Sequence, residues 1–152
     1  MLNVVLLDWF HHIAAFGLVA VLVVEMALCK PGLNGQQMRL LSLYDALYGI
    51  FAGLLLTAGF LRVYMGVKGA AFYWGNPVFH TKLTFFVLMG LLSIAPTIRY
   101  IRWRKAFAAD PKFTPTVAEI RNTRLLLHIQ ATLLLFIPLL AALMARGMGF
   151  RG

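Results

Sequence analysis

The sequence predicts an all-α integral membrane protein, a four-helix transmembrane bundle forming one domain over residues 1–152, and three observations predict it. Hydrophobic residues make up 61% of the chain and charged residues 12%, about half of the ~25% charged share of soluble domains. The mean hydropathy is +0.82, which makes lipid the natural solvent. The apolar residues also fall into four runs, each near the ~20 residues needed to cross a hydrocarbon core.

The first span, about 4–28, is closed by Lys30-Pro31-Gly32, which stops a helix. A cleaved signal peptide would carry a basic head and a small-residue cleavage site. No Lys or Arg precedes Lys30 and no such site follows, so this run is expected to stay as a helix. The second span, about 41–64, ends in a loop around Gly66 and Gly69. The third, about 78–100, follows Asn76-Pro77, an N-cap and first-turn pair. It closes in the basic run from Arg99 to Lys105. The fourth helix starts near Thr116, and its apolar span covers about 122–145. Its first two turns carry Glu119, Arg121 and Arg124. Pro96 and Pro138 fall inside helices three and four and are expected to kink them.

The formal charge of +9 is unevenly placed. Lys30 and Arg39 flank the first loop. Arg99, Arg102, Arg104, Lys105, Lys112, Arg121 and Arg124 flank the third. Arg62, Lys68, Lys82, Arg146 and Arg151 belong to the other side. The positive-inside rule then puts loops one and three in the cytoplasm and both termini outside. Topology accounts for the charge, and no nucleic-acid partner is called for. Cys29 is the one cysteine, which excludes an internal disulfide and any CxxC metal site. Walker, GxGxxG, HExxH and serine-elbow motifs are absent.

An ionisable residue at bilayer depth is a functional candidate by default. An outer group contains Asp8, His11, His12, Arg62, His80 and Lys82. An inner group contains Glu25, Tyr44, Asp45, Tyr48, Arg99, Arg124 and His128. Helical spacing puts Asp8, His11, Ala15, Leu18, Leu22, Glu25 and Cys29 on one stripe, expected to face inward. His12 is about 100° around from His11. Lys82, Phe86, Gly90, Ser93 and Thr97 form the inward stripe of helix three, which turns His80 elsewhere. Asp45, Gly49, Ala52, Gly53 and Leu56 form that of helix two, and Arg121, Arg124, His128, Ala131, Leu135 and Ala142 that of helix four. Trp9, Tyr73, Trp74, Tyr100 and Trp103 fit interfacial belts.

Histidines near one face of a membrane bundle suit a b-type haem, whose iron takes axial ligands from facing helices. His11 would supply one axial nitrogen, with Asp8 holding its other nitrogen. His80 or Lys82 would approach from helix three, with His12 as an alternate. Arg62, or Lys82 when not a ligand, would pair with the propionates. Gly49, Gly53, Gly59 or Gly90 would give the macrocycle room. A zinc or copper site would need a tighter cluster than these residues form.

Several strings carry a resemblance. Phe10-His-His-Ile-Ala-Ala-Phe-Gly17, Leu43-Tyr-Asp-Ala-Leu-Tyr-Gly49, Leu56-Thr-Ala-Gly-Phe-Leu61, Lys68-Gly-Ala-Ala-Phe-Tyr73, Asn76-Pro77 and Phe79-His-Thr-Lys-Leu-Thr-Phe85 resemble a family of short bacterial four-helix membrane proteins known as a domain of unknown function. That likeness runs over nearly the whole chain and implies no activity. More distantly, His11-His-Ile-Ala14, Leu43-Tyr44, Thr57-Ala-Gly59 and Phe79-His-Thr-Lys-Leu83 are similar to HemJ-type protoporphyrinogen IX oxidases, haem-b-associated membrane bundles. The resemblance implies haem b and functional positions at His11, His80 and Lys82. Gly17-Leu-Val-Ala20 stands where those proteins have Trp-Phe-Ala-Gly, and Asp45 where they have a basic residue.

Three function classes follow. The first is a haem-binding redox protein exchanging electrons with a quinone or a porphyrin, including a HemJ-like oxidoreductase. The second is a small proton- or ion-coupled transporter, with Glu25, Asp45, Arg124 and His128 as its inner polar network and a homo-oligomer as its working form. The third is a cofactor-free structural or assembly protein in which an ion pair of Arg124 with Glu25 or Asp45 is a packing device.

Overall fold

The computed structural model of the chain describes residues 2–149. These residues form five helices: α1 (Leu2–Leu28), α2 (Gly35–Met65), α3 (Gly69–Trp74), α4 (Pro77–Ala109) and α5 (Val117–Ala145). No strand occurs among the described residues. Four of the helices, all but α3, are long and apolar enough to cross a membrane. Arg151, one of the charges assigned to the outer side, lies outside the described residues.

Local chemistry sets the helix ends. Asn34 caps α2 through a reciprocal pair: its side chain accepts from the Gln37 N–H (2.9 Å), and the Gln37 side chain accepts from the Asn34 N–H (3.0 Å). This box starts α2 at Gly35, one and a half turns before its apolar run. Asn34→Ala should cost about 1 kcal/mol of stability, read by equilibrium unfolding in detergent; an unchanged midpoint would show the box to be idle. Gly66 ends α2, its N–H returning to the Arg62 carbonyl (3.0 Å). Gly69 then takes φ +73°, a backbone conformation that glycine adopts without a steric penalty. The following Ala-Ala-Phe-Tyr-Trp closes into α3, a short helix in what the glycines mark as a plain loop. Asn76 caps α4 by accepting from the Val78 N–H (2.9 Å), with Pro77 in the first turn.

The largest departure from the expected spans is α4. It continues through Arg102, Trp103, Arg104 and Lys105 to Ala109, nine residues past the expected end. The end of the apolar run marks the membrane boundary, whereas Arg, Lys and Ala are good helix formers in water. The helix stops where Pro111 disfavours helical backbone at Asp110. At 33 residues, α4 is ~50 Å long against a hydrocarbon core of ~30 Å, so several of its turns extend beyond the lipid into water. Both α4 and α5 run on as helices through Pro96 and Pro138.

The helices pack as α1 on α2 and α4 on α5, joined by α2 against α4 and a lighter contact of α1 with α5. The ends of α1 and α5 gather at the α3 end: Lys68 Nζ donates to the Ala145 carbonyl (3.5 Å) and Asn76 Nδ2 to the Met148 carbonyl (3.3 Å). At the opposite end Cys29, Leu33, Met38, Leu41, Tyr100, Trp103 and Ile120 make a dense apolar cap. Large apolar side chains such as Leu43, Ile50, Leu91 and Leu135 point outward, as lipid contact requires.

The buried faces correct the expected stripes on two helices. On α2 the buried residues are Met38, Leu41, Asp45, Tyr48, Leu55, Ala58 and Val63. Gly49, Gly53 and Leu56 face out. On α5 they are Ile120, Thr123, Leu127, Gln130 and Met144, while Arg121, His128 and Leu135 are exposed. On each helix the buried face is the one that carries Leu, Ile, Met or Tyr, with Asp45 on α2 and Thr123 and Gln130 on α5 packed among them. Tyr100 and Trp103 also leave the expected interfacial belt: both are fully buried. On α1 the expected stripe does carry the core, through Leu18, Leu22, Glu25 and Cys29.

Candidate functional site

At the α3 end, α1, α2, α4 and α5 line an open-sided cavity of about 560 Å³, within the ~300–1,000 Å³ range of small-molecule sites. Its walls are mostly apolar, with Phe16 from α1, Leu55 from α2, Phe86 from α4 and Leu134, Ile137 and Met144 from α5. Its basic side chains are His11, His12, Arg62, Lys68 and Lys82, and the Tyr73 phenol also lines it.

His11 sits against α2 where Gly59 leaves room. A Cβ at position 59 would lie 3.5 Å from His11 Cε1, so a larger side chain would meet the imidazole. The Nδ1 atom of His11 is buried and has no hydrogen-bond partner. Such an atom is costly unless a ligand uses it. The expected Asp8 support for His11 does not form. The Asp8 carboxylate instead pairs with Arg62 Nε at 2.6 Å, because the α1–α2 packing brings a guanidinium closer than the imidazole one turn away. His12, 84° to the His11 ring and 6.0 Å from it, donates from Nδ1 to the Asp8 carbonyl (2.6 Å).

Lys82 reaches the cavity from α4 beside the Phe79 ring, 5.6 Å from its centroid. Lys68 reaches it from the rim. His80 does not line the cavity. Its Nε2 donates to the Trp74 carbonyl (2.9 Å) and its ring lies beside Trp74, exposed. The cavity therefore gathers three cations, of which Arg62 is paired with Asp8, a residue outside the lining. Neither lysine is ion-paired among the described residues. Lys68 is the member that sequence reasoning assigned only to a loop charge. The signal that it belongs here, its place directly before a helix-forming Ala-Ala-Phe-Tyr-Trp string, was legible only once α3 was known. Gly49, Gly53 and Gly90 are exposed, with open space around an added Cβ, and none of them lines the cavity.

Of the inner group, Glu25 and Asp45 are buried together, and Arg124 and His128 are not joined to them by any ion pair among the described residues. Arg124 Nη1 donates to the Cys29 carbonyl (3.3 Å). His128 Nδ1 donates to the Arg124 carbonyl (2.6 Å), its side chain exposed. Arg124 is thus held by a backbone carbonyl rather than a carboxylate.

A family model described as "Predicted membrane protein (DUF2214)" matches residues 3–149. The chain belongs to this family. It is a membrane protein by that membership and by its four apolar helices. No curated protein matches the chain, and no solved structure does.

Proposed function

We propose that the chain is a b-type haem-binding redox protein of the bacterial inner membrane, with the haem in the cavity at the outer face. The observation that carries the reading is the buried, unpartnered Nδ1 of His11 beside Gly59, in an apolar cavity that also gathers three cations. The donor set fits the group. Haem supplies one-electron chemistry that side chains lack. His11 would hold the iron, and Lys82, which lines the same space, would be a second nitrogen donor. Arg62 and Lys68 would pair with the propionates, which favour cations near the interface. The apolar walls exclude water and so bear on the potential. His80, tied to the Trp74 carbonyl, is not assigned to the iron. A lipid-soluble partner such as a quinone or a porphyrin would approach from the bilayer.

The test is an absorption spectrum of protein purified in mild detergent from haem-replete cells, before and after dithionite. A Soret band that sharpens and shifts on reduction is expected. A preparation that is folded and has no Soret band would end the haem reading. The orientation has its own check. In a Cys29→Ser background, Lys30→Cys should resist an impermeant thiol reagent in intact cells and react in inverted vesicles. Labelling in intact cells would place the α1–α2 loop outside.

A further inference from the structure

The inner half of the bundle holds a second polar cluster that the haem reading does not use. Glu25 of α1 is 2% exposed and Asp45 of α2 is 9% exposed. The two carboxyls lie within electrostatic reach of each other and of Tyr48 and Tyr100. Asp45 Oδ1 accepts from Thr97 Oγ1 (2.8 Å). Glu25 Oε1 is buried without a hydrogen-bond partner, and so is the hydroxyl of Tyr100, itself 0% exposed. Cys29 closes the cluster at the end of α1. The neighbouring cations are engaged elsewhere: Arg124 from α5 holds the Cys29 carbonyl, and Arg99 from α4 donates to Thr123 Oγ1 (3.0 Å). Neither forms an ion pair with Glu25 or Asp45 among the described residues.

Two carboxyls at membrane depth with no cation on them repel each other and lack solvation. One positive charge relieves both problems. The groups that would receive it are hard oxygens: two carboxyls, two phenols and a threonine hydroxyl. Such donors suit a proton or a hard ion and not a soft metal. Orphaned buried oxygens in a native core also ask for a ligand-type explanation. We propose that Glu25, Asp45, Tyr48 and Tyr100 form a binding site for one exchangeable monovalent cation, a proton or a sodium ion, anchored by Glu25 Oε1 and the Tyr100 hydroxyl. This site shares no residue with the outer cavity, so it stands or falls independently of the haem.

The experiment follows thermal unfolding of the full chain in detergent by helical circular dichroism. One arm exchanges sodium for choline at fixed pH and ionic strength. The other varies pH in choline alone. A melting temperature that rises with sodium assigns the ion, and one that responds to pH alone assigns the proton. In either case the response should be lost in Glu25→Gln and in Asp45→Asn and kept in Glu119→Gln, whose carboxylate lies in the α5 cap. A flat response in both arms, or one that survives in both inner variants, overturns the proposal. Should those variants fail to fold, infrared spectra of the wild type decide. The chain has only five Asp and Glu, so its carboxyl bands are few. A carboxyl band that moves with neither pH nor sodium also overturns it.

Discussion

His11→Ala should strip haem from the purified protein while leaving its helical content intact. The imidazole is the one histidine in the cavity with a buried, uncommitted nitrogen. Losing an outer-shell partner of a metal ligand costs ~10–100-fold in affinity, so losing the ligand itself should exceed that, and the Soret absorbance per protein should fall more than ~10-fold. The same measurement on His80→Ala should give a near-normal spectrum, since that ring is tied to the Trp74 carbonyl outside the cavity. Lys82→Met should keep the haem and alter its spectrum or potential, since Lys82 would be the second nitrogen donor to the iron. Gly59→Leu should mimic His11→Ala by pushing a side chain against the imidazole. A full Soret band in folded His11→Ala, or its loss only in His80→Ala, would reject the ligand assignment. The second outcome would favour the histidine to which the HemJ likeness points.

Much of this was legible in the chain, and what was not has particular physical causes. The four spans follow from hydropathy because backbone polar groups in lipid must be satisfied within a helix. Helix ends in water do not follow from hydropathy, which is why α4 outruns its apolar stretch to Ala109 and α2 begins at its Asn34 box. On α1, charge and periodicity agree, since Glu25 and Leu18 both need the interior. On α2 and α5, small and charged residues repeat at helical spacing on a face that the structure leaves exposed. In lipid an outward glycine is harmless and an outward histidine can hydrogen-bond its own helix, as His128 does to Arg124. Periodicity therefore finds stripes without ranking them. The outer cavity was readable as a set of residues: His11, Arg62 and Lys82 do converge there. Their pairing was not, because whether Asp8 meets His11 or Arg62 depends on the approach of two helices.

Trp103→Ala should be the most damaging single substitution in the inner cap, costing about 3–5 kcal/mol. Trp103 is 0% exposed and lies beside Tyr100, ring centroids 5.7 Å apart. Its neighbours Arg102 and Arg104 are exposed, so the helical period alone turns the indole inward. The position matters because α4 has left the lipid by this point. Between helices within a bilayer there is little hydrophobic drive, lipid tails being as apolar as leucine. On the water side the full effect returns, and there the α1–α2 turn, the end of α4 and the start of α5 are sealed together. Phe107, one turn on, lies so close to Gly35 that a Cβ there would overlap its ring, which shows how tightly α2 is seated. Trp9 and Trp74 are 61% and 43% exposed, and their alanine variants should stay within about 0.5 kcal/mol of wild type. Equilibrium unfolding in mixed micelles compares the three directly. A loss at Trp103 no larger than at Trp9 would mean that the cap does not hold the bundle together, and that lipid-phase packing of α1 on α2 and α4 on α5 carries its stability instead.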